Sequence, residues 1–255
     1  MTTYNIKCIS IVLFAIMTSS CSTINAKEDA HHNYTLVTQG PGENRSLSQE
    51  KTKFVDQVGN NLLYRGNIPL DKKQFALVDV LDSMVSENSQ KTPVNKALVA
   101  PNALPELNYF VDFNLLTKLN PKEKADFNVE KNFFSKNQGL GKIIHHDVDA
   151  LFIHGIVTGT VGKLVDQVIT DLRTQVSKPE DTPRIIYVHC EAGLDRTGAV
   201  IAGYAMRYLD YSYVDALALN ATLGLRDPNS SAELAIKLYA IYLNGVIGIE
   251  TIGDI

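Results

Sequence analysis

This chain of 255 residues has no excess of basic residues, because it contains 24 Lys and Arg and 28 Asp and Glu. Surfaces that bind nucleic acid or anionic membranes are typically basic, so the formal net charge of -4 argues against both kinds of partner. Internal repeats are missing too. What is present, 45% hydrophobic and 20% charged residues, is the composition of an ordinary globular protein.

Apolar runs long enough to cross a bilayer are also missing, because the uncharged run Cys8–Met17 is too short. Lys7 precedes this run, and Ala26 ends the polar stretch after it, which is the pattern of a secretory signal peptide. We therefore expect residues 1–26 to be a cleaved leader and the protein to be periplasmic or secreted, without stable membrane insertion. The alternative is a lipoprotein anchored through Cys21, although Thr18 stands where a leucine-like residue is usual.

Cysteine is scarce, and the position of each cysteine limits its role. Of the three cysteines, Cys8 and Cys21 belong to the expected leader, which leaves Cys190 as the only thiol after cleavage. An intramolecular disulfide is then excluded, so the fold has to be held together by its core. A lone thiol in an exported protein favours a chemical role over a structural one.

Strand and helix patterns alternate along the rest of the chain. Polar residues 27–58 are interpreted as a flexible arm, and residues 59–255 as one α/β domain of three layers, a central, mostly parallel sheet flanked by helices. Predicted strands lie in NLLYRGNIPL, in Tyr109–Leu116, at the start of GKIIHHDVDA and in RIIYVH. Predicted helices begin at Asp71, Pro121, Thr158 or Thr160, Thr197, Ser212 and Ser230.

The segment HCEAGLDRTG, His189–Gly198, joins the last predicted strand to an apolar helix. Its backbone N–H groups can surround an anion, and the helix N-terminus adds a positive end. Gly193 permits a backbone angle that side chains resist, and the guanidinium of Arg196 matches two phosphoryl oxygens. In this field Cys190 is expected to be a thiolate nucleophile. The expected phosphate-binding residues are His189, Glu191, Ala192, Gly193, Leu194, Asp195 and Arg196.

HCEAGLDRTG resembles the His-Cys-x5-Arg-Thr/Ser signature of the cysteine-dependent protein tyrosine and dual-specificity phosphatase superfamily, near its compact, phytase-like and secreted bacterial members. LYRGNIP and GLRDPNSS are similar to other segments of such domains. The resemblance is strong over about ten residues and extends weakly over residues 60–245. It implies a phosphatase-type fold without a metal or organic cofactor.

The resemblance also implies a role for each matched residue. Cys190 would attack phosphorus and form a phosphocysteine, and Arg196 would bind the phosphoryl oxygens in the transition state. Thr197 would offer its hydroxyl to the sulfur as it leaves, and His189 would orient the cysteine.

The general acid in this superfamily is usually an aspartate from a loop upstream of the cysteine. Asp147 and Asp149 follow a predicted strand and precede a long helix, as that loop should. Asp195 is the second choice, because an aspartate just before the arginine resembles phosphoinositide phosphatases of the myotubularin and Sac kinds. We favour Asp149 or Asp147.

These residues predict a phosphomonoester hydrolase that acts on phosphorylated proteins or small phosphate esters, with protein tyrosine or mixed specificity. The alternatives are an inositol phosphate (phytase-like) or phosphoinositide phosphatase, and an inactive phosphate-binding module that has lost its acid. His145 and His146, beside Asp147 and Asp149, lack the ligand spacing of a metal centre, so no metal site is expected.

Overall fold

A computed structural model describes residues 46–88, 94–101, 103–106, 108–179 and 181–255. The expected signal peptide, the lipoprotein site at Cys21 and residues 27–45 of the expected arm lie outside the described residues. Among the described residues, no helix has both the length and the apolar character needed to span a membrane.

The central sheet is mixed and mostly parallel, as the sequence predicts. The strands are β1 (Lys53–Val58), β2 (Asn61–Gly66), β3 (Leu70–Asp71), β4 (Gln74–Phe75), β5 (Tyr109–Asn114), β6 (Gly141–His145) and β7 (Arg184–His189). Five of them form the sheet in the order β1-β2-β7-β5-β6, and β3 pairs with β4 in a separate hairpin. Only the pairing of β1 with β2 is antiparallel within this sheet.

Helices follow most of the strands. They are α1 (Leu77–Asn88), α2 (Pro121–Lys136), α3 (Val148–Thr158), α4 (Val161–Ser177), α5 (Asp195–Tyr208), α6 (Tyr213–Gly224) and α7 (Ser230–Tyr242). Pro121 occupies the first turn of α2, where its missing N–H costs nothing, and the Asn120 side chain caps the helix. Short helical turns cover Gln49–Lys51, Leu243–Ile247 and Glu250–Ile252.

Helices cover both faces of the sheet. Successive residues of a strand point to opposite sides, so each strand packs against helices on both faces. Strand residues packed on the side of α4, α5 and α7 are Leu63, Val111, Phe113, Ile186 and Val188. Those packed on the side of α1 and α2 are Leu62, Tyr64, Phe110, Ile185 and Tyr187. The central strand β7 is therefore buried along its whole length, which explains its continuous apolar sequence.

Several predicted boundaries are wrong. The arm does not reach residue 58, because Lys53–Val58 form β1, in which Phe54 and Val55 are buried on opposite faces of the sheet. Asp71 lies in β3 and does not cap the next helix, which begins at Leu77. The short hairpin occupies the residues that the pattern assigned to a first helical turn.

One helix was not predicted, and two others begin at residues other than those predicted. Residues after Asp147, expected as a loop, form α3 with Asp147 as its cap. Helix α5 begins at Asp195 instead of Thr197. Helix α7 is capped by Asn229, whose side chain accepts from the N–H of Ala232 at 2.9 Å, so Ser230 is already helical. The cap of α6 by Ser212 is as predicted.

The carboxyl ends of the four parallel strands lie in one row. Gly66 of β2 is the register neighbour of His189 in β7, which neighbours Asn114 of β5, and Asn114 neighbours His145 of β6. The loops after these strands therefore leave the sheet at one edge, which is where ligands bind in open α/β sheets. The HCEAGLDRTG segment leaves from β7, in the middle of that edge.

Candidate active site

Cys190 directly follows β7 and precedes the first turn of α5. The residue is 2% exposed and its thiol is free. The next helix begins five residues later, and Leu194, which precedes it, provides no side-chain cap. The first N–H groups of α5 are therefore left to bind another acceptor, at the positive end of the helix dipole.

The loop between Cys190 and α5 is packed closely against the end of β2. Gly193 has a φ of 68°, and a Cβ atom there would lie 2.5 Å from the carbonyl oxygen of Gly66. The N–H of Ile68 donates to the carbonyl of Glu191 at 3.2 Å. Because Ala192 is exposed and Leu194 half-buried, the loop offers a bound anion its backbone amides rather than an enclosing set of side chains.

Arg196 is fixed by Glu123 of α2. Its two Nη atoms donate to the two carboxylate oxygens of Glu123 at 2.6 and 2.9 Å, and Nη1 also donates to the carbonyl of Leu115 at 3.1 Å. Burial by itself lowers the pKa of Arg196, but the hydrogen bond to Glu123 and nearby negative charges, that of Cys190 included, raise it above its ordinary value. Burial by itself raises the pKa of Glu123, but the opposing effect of Arg196 is larger, so the pKa of Glu123 lies below its ordinary value. The pair is ionised and its orientation is set.

A second guanidinium, that of Arg65 in β2, lies within electrostatic reach of Cys190. Arg65 is fully buried and its Nη2 donates to the carbonyl of Gly193, whereas its Nε and Nη1 have no hydrogen-bond partner among the described residues. Burial lowers the pKa of Arg65 to about 10, and Cys190 and Tyr187 oppose this decrease. A buried cation is costly without an anion beside it, so Arg65 favours the presence of an anion at this end of β2. No pattern in the sequence assigned Arg65 to this site.

His189 lies between two buried carboxyl groups. Its Nε2 is 2.7 Å from Oδ1 of Asp112 and 3.4 Å from Oε2 of Glu130, and all three side chains are 0% exposed. Its Nδ1 is 3.3 Å from the carbonyl oxygen of Cys190, which can only accept. With hydrogens on both nitrogens, the ring is an imidazolium that ties the backbone of the cysteine to β5 and α2. Burial would lower the pKa of His189, but the charges of Glu130 and Asp112 raise it well above its usual value.

Glu130 and His189 titrate as a coupled pair in this cluster. Burial raises the pKa of Glu130 to about 8, with an opposing contribution from His189 and a further increase from Asp112. Glu130 and His189 therefore both hold a proton more tightly than the free side chains do. The three residues lie close enough to ligate a metal, with ligand atoms within 4.8 Å of one another. A metal needs a ring nitrogen without a proton, however, and Nε2 donates its proton to Asp112.

The buried pair Glu130 and His189 is expected to contribute less to stability as the pH rises, because both groups bind protons more tightly in the folded protein than in the unfolded chain. Glu130 keeps its proton up to about pH 8 when folded and loses it near its model value of 4.5 when unfolded. The raised pKa of His189 acts in the same direction, since the stability it contributes at low pH is lost as the pH rises through the folded value. Relative to Glu130→Gln, wild-type protein should lose about 3–4 kcal/mol, or about 6–16 °C in Tm, between pH 5 and 8. Parallel Tm curves for the two proteins would contradict the raised pKa.

Asp149 is the aspartate that the structure places beside Arg196. It lies in the first turn of α3, its Oδ2 is 3.6 Å from Nη1 of Arg196, and its side chain is 44% exposed. Burial raises the pKa of Asp149, and the charges of Glu123 and Asp147 add to the increase, while Arg196 opposes it. A carboxyl group that holds its proton more tightly than a free aspartic acid is suited to act as a proton donor.

The other two candidate aspartates are engaged elsewhere. Asp147 caps α3 and accepts from the N–H of Lys118 at 2.8 Å. Burial by itself raises the pKa of Asp147, but this hydrogen bond and others have the larger effect, so its pKa lies below the ordinary value. Asp195 accepts from Nη2 of Arg226 at 2.6 Å and from the N–H of Asn229 at 2.9 Å. Burial raises the pKa of Asp195 too, and these partners lower it. Both groups are therefore carboxylates that position the surrounding segments.

Two further expectations concern Thr197 and the pair His145 and His146. Thr197 is fully buried in the first turn of α5, and its hydroxyl has no partner among the described residues, so the role that the resemblance implies for it stays a prediction. His145 and His146 pack on opposite faces, against Phe127 and Phe113, instead of meeting in one site.

No protein-family model matches the chain, and no curated protein sequence does. Among solved structures, the core catalytic domain of the PP-IP phosphatase SIW14 from S. cerevisiae, in complex with citrate, is 16% identical, with 81% of this chain and 91% of that chain covered and a TM-score of 0.39. The human tyrosine phosphatase-like serine/threonine/tyrosine-interacting protein is 16% identical, with 71% and 93% covered and a TM-score of 0.33. Because the identities and TM-scores are this low, function has to be inferred from the site itself.

Proposed function

We propose that this protein is a phosphomonoester hydrolase that works through a phosphocysteine at Cys190. The observation that carries the proposal is the position of a buried free cysteine between β7 and the uncapped N-terminus of α5, with Arg196 held by both oxygens of Glu123. Backbone amides of residues 191–196 and this guanidinium together bind the three non-bridging oxygens of a phosphoryl group. No metal or organic cofactor takes part in the proposed reaction.

In the first step, the sulfur of Cys190 attacks phosphorus in line as the ester P–O bond breaks. Asp149 gives its proton to the leaving oxygen, so that the alcohol leaves neutral. In the second step the Asp149 carboxylate takes a proton from water, the water oxygen bonds to phosphorus, and the P–S bond breaks. Thr197 donates a hydrogen bond to the departing sulfur, and inorganic phosphate is released. The positive charges of Arg65, Arg196 and His189 stabilise the sulfur of Cys190 as a thiolate before it attacks phosphorus and again as the P–S bond breaks.

Asp149→Asn is expected to slow the hydrolysis of phenyl phosphate by about 100- to 1000-fold, because phenol is a poor leaving group that needs the proton. The loss with p-nitrophenyl phosphate should be much smaller, because nitrophenolate leaves without one. Initial rates over a range of pH measure both effects, and the limb of the kcat/KM profile that reports the acid should vanish in the variant.

Asp147→Asn and Asp195→Asn are the matched controls. Both remove one carboxylate charge near the loop, yet neither should make the rate depend on the leaving group. Wild-type-like rates for all three variants would refute the assignment of the acid. A wild-type protein that binds phosphate tightly and never turns over p-nitrophenyl phosphate would instead be the inactive binding module.

For the substrate, we propose phosphorylated proteins or small phosphate esters in preference to inositol phosphates or phosphoinositides. The feature that suggested lipid phosphatases was Asp195, whose two oxygens are occupied by Arg226 and Asn229. A panel of a phosphotyrosine peptide, inositol hexakisphosphate and phosphoinositides ranks these substrates by kcat/KM.

A further inference from the structure

A cavity of about 260 Å³ opens beside the proposed phosphate site, between α3, α4, α5 and α7. Arg196 and Asp149 are among its lining residues, so it includes the groups that would bind phosphate and protonate the leaving oxygen. For comparison, an apolar cavity of about 150 Å³ accepts one benzene molecule. The space is therefore large enough for a hydrocarbon group bigger than a single ring.

The walls of this cavity are mostly apolar. Helix α3 contributes mainly apolar residues from the turn after Asp149, and α4 and α5 complete the enclosure. The aliphatic residues that carry the argument are Leu151, Val161, Leu164, Val165, Val168 and Val200. Of these, Leu151, Leu164 and Val165 are only half-buried, so apolar surface remains that a ligand can remove from water.

The charges of the cavity favour a ligand with one phosphate. Its charged lining residues are Arg196, Asp149 and Asp195, that is, one cation and two acidic side chains. Arg196 is already paired with Glu123, and Asp195 with Arg226. A second phosphate in this space would meet carboxylates rather than cations, whereas an alkyl chain would meet groups of matching polarity.

We propose that the substrate is a phosphate monoester of a hydrophobic alcohol, whose hydrocarbon group fills this cavity while its phosphate lies in the loop at Cys190. This inference rests on the proposed function, because it uses the same phosphate site. The ester oxygen then lies between Arg196 and Asp149, at the boundary between the charged and the aliphatic parts of the site.

The test uses n-alkylphosphonates from methyl to octyl, which keep the charged group but cannot be hydrolysed. Their binding to wild-type protein is measured by calorimetry, below the concentrations at which they form micelles. We expect Kd to fall about two- to fourfold with each added methylene until the cavity is filled, fourfold corresponding to full burial. A Kd that is the same within about twofold from methyl to octyl would overturn the proposal.

Ala235→Phe, which places a ring in the cavity from α7, should abolish the gain in affinity with chain length and leave methylphosphonate binding unchanged. Ala218→Phe is the control, since it adds the same ring to an exposed position of α6. A chain-length dependence that survives Ala235→Phe would show that the alkyl group binds elsewhere and would also overturn the proposal. The Kd values of the n-alkylphosphonates on wild-type protein test the proposal even if one of these variants does not fold.

Failure of this inference and failure of the proposed function give different results. If p-nitrophenyl phosphate is hydrolysed but chain length has no effect on binding, only the cavity assignment is wrong. If octylphosphonate binds tightly and no phosphate ester is hydrolysed, the cavity is a ligand site and the proposed hydrolysis is wrong. Tighter binding of inositol hexakisphosphate than of octylphosphonate contradicts the preference for a hydrophobic monoester.

Discussion

Cys190→Ser is expected to lower the rate of p-nitrophenyl phosphate hydrolysis by at least about 10⁴-fold, because the alcohol that replaces the thiol has no neighbouring base to activate it. The buried position is 2% exposed, and serine is slightly smaller than cysteine, so the fold should persist. The loop amides and Arg196 remain in place, so the variant should still bind inorganic phosphate. Rates and phosphate affinity measured on the same preparation separate the loss of chemistry from a loss of folding.

Wild-type protein quenched with acid during turnover should carry one phosphoryl group on Cys190, which intact mass and peptide mapping detect. The serine variant should carry none. Activity in the serine variant above about one-hundredth of the wild-type rate would rule out the phosphocysteine route, because a residual rate that high requires another nucleophile.

Arg196→Lys is expected to reduce kcat/KM for p-nitrophenyl phosphate by about 10²- to 10³-fold, although the charge is kept. Lysine presents a single ammonium group and cannot hold both oxygens of Glu123 while also contacting two phosphoryl oxygens. Both the binding of phosphate and the charge stabilisation in the transition state should therefore suffer. Steady-state kinetics with kcat and KM resolved measure the effect.

Arg207→Lys is the matched control on the same helix. Arg207 lies near the other end of α5, where it contacts Asp166 and is 3.5 Å from the hydroxyl of Tyr239. The same chemical change there should leave the kinetics close to wild type. Equal losses in the two variants would mean that Arg196 acts through the stability of α5 rather than through phosphate.

Much of the fold was readable from local patterns. The apolar runs in β5, β6 and β7 and the helical spacing in α4 and α5 reflect burial against the sheet, and burial dictates residue type directly. The predictions failed where a few residues decide the geometry. Phe54 and Val55 are too short a pattern to reveal β1, and the hairpin β3–β4 takes the place of the helical turn predicted after Asp71.

The candidate acid shows what sequence spacing leaves open. Asp147 and Asp149 are two residues apart, and nothing in that spacing ranks them. The cap of α3 commits Asp147 to backbone N–H groups, whereas the side chain of Asp149 lies near Arg196, which Glu123 also binds. Asp112 was not predicted to belong to the site, although the sequence contains a sign of it. Asp112 interrupts the apolar strand YFVDFN, and a charged group buried at such a position must have a partner.

Residues adjacent along the chain were enough to predict the strands β2, β5, β6 and β7 and most of the helices. They also placed a cysteine and an arginine six residues apart where β7 is followed by α5. The distant groups that meet this segment are set by the packing of the folded domain. Glu123 on Arg196, Arg65 near Cys190, the carboxyls of Asp112 and Glu130 around His189 and the aliphatic cavity all come from segments far apart in the chain. They are brought together by the register of four parallel strands that end at one edge of the sheet, and a register between strands leaves no local pattern in a single sequence.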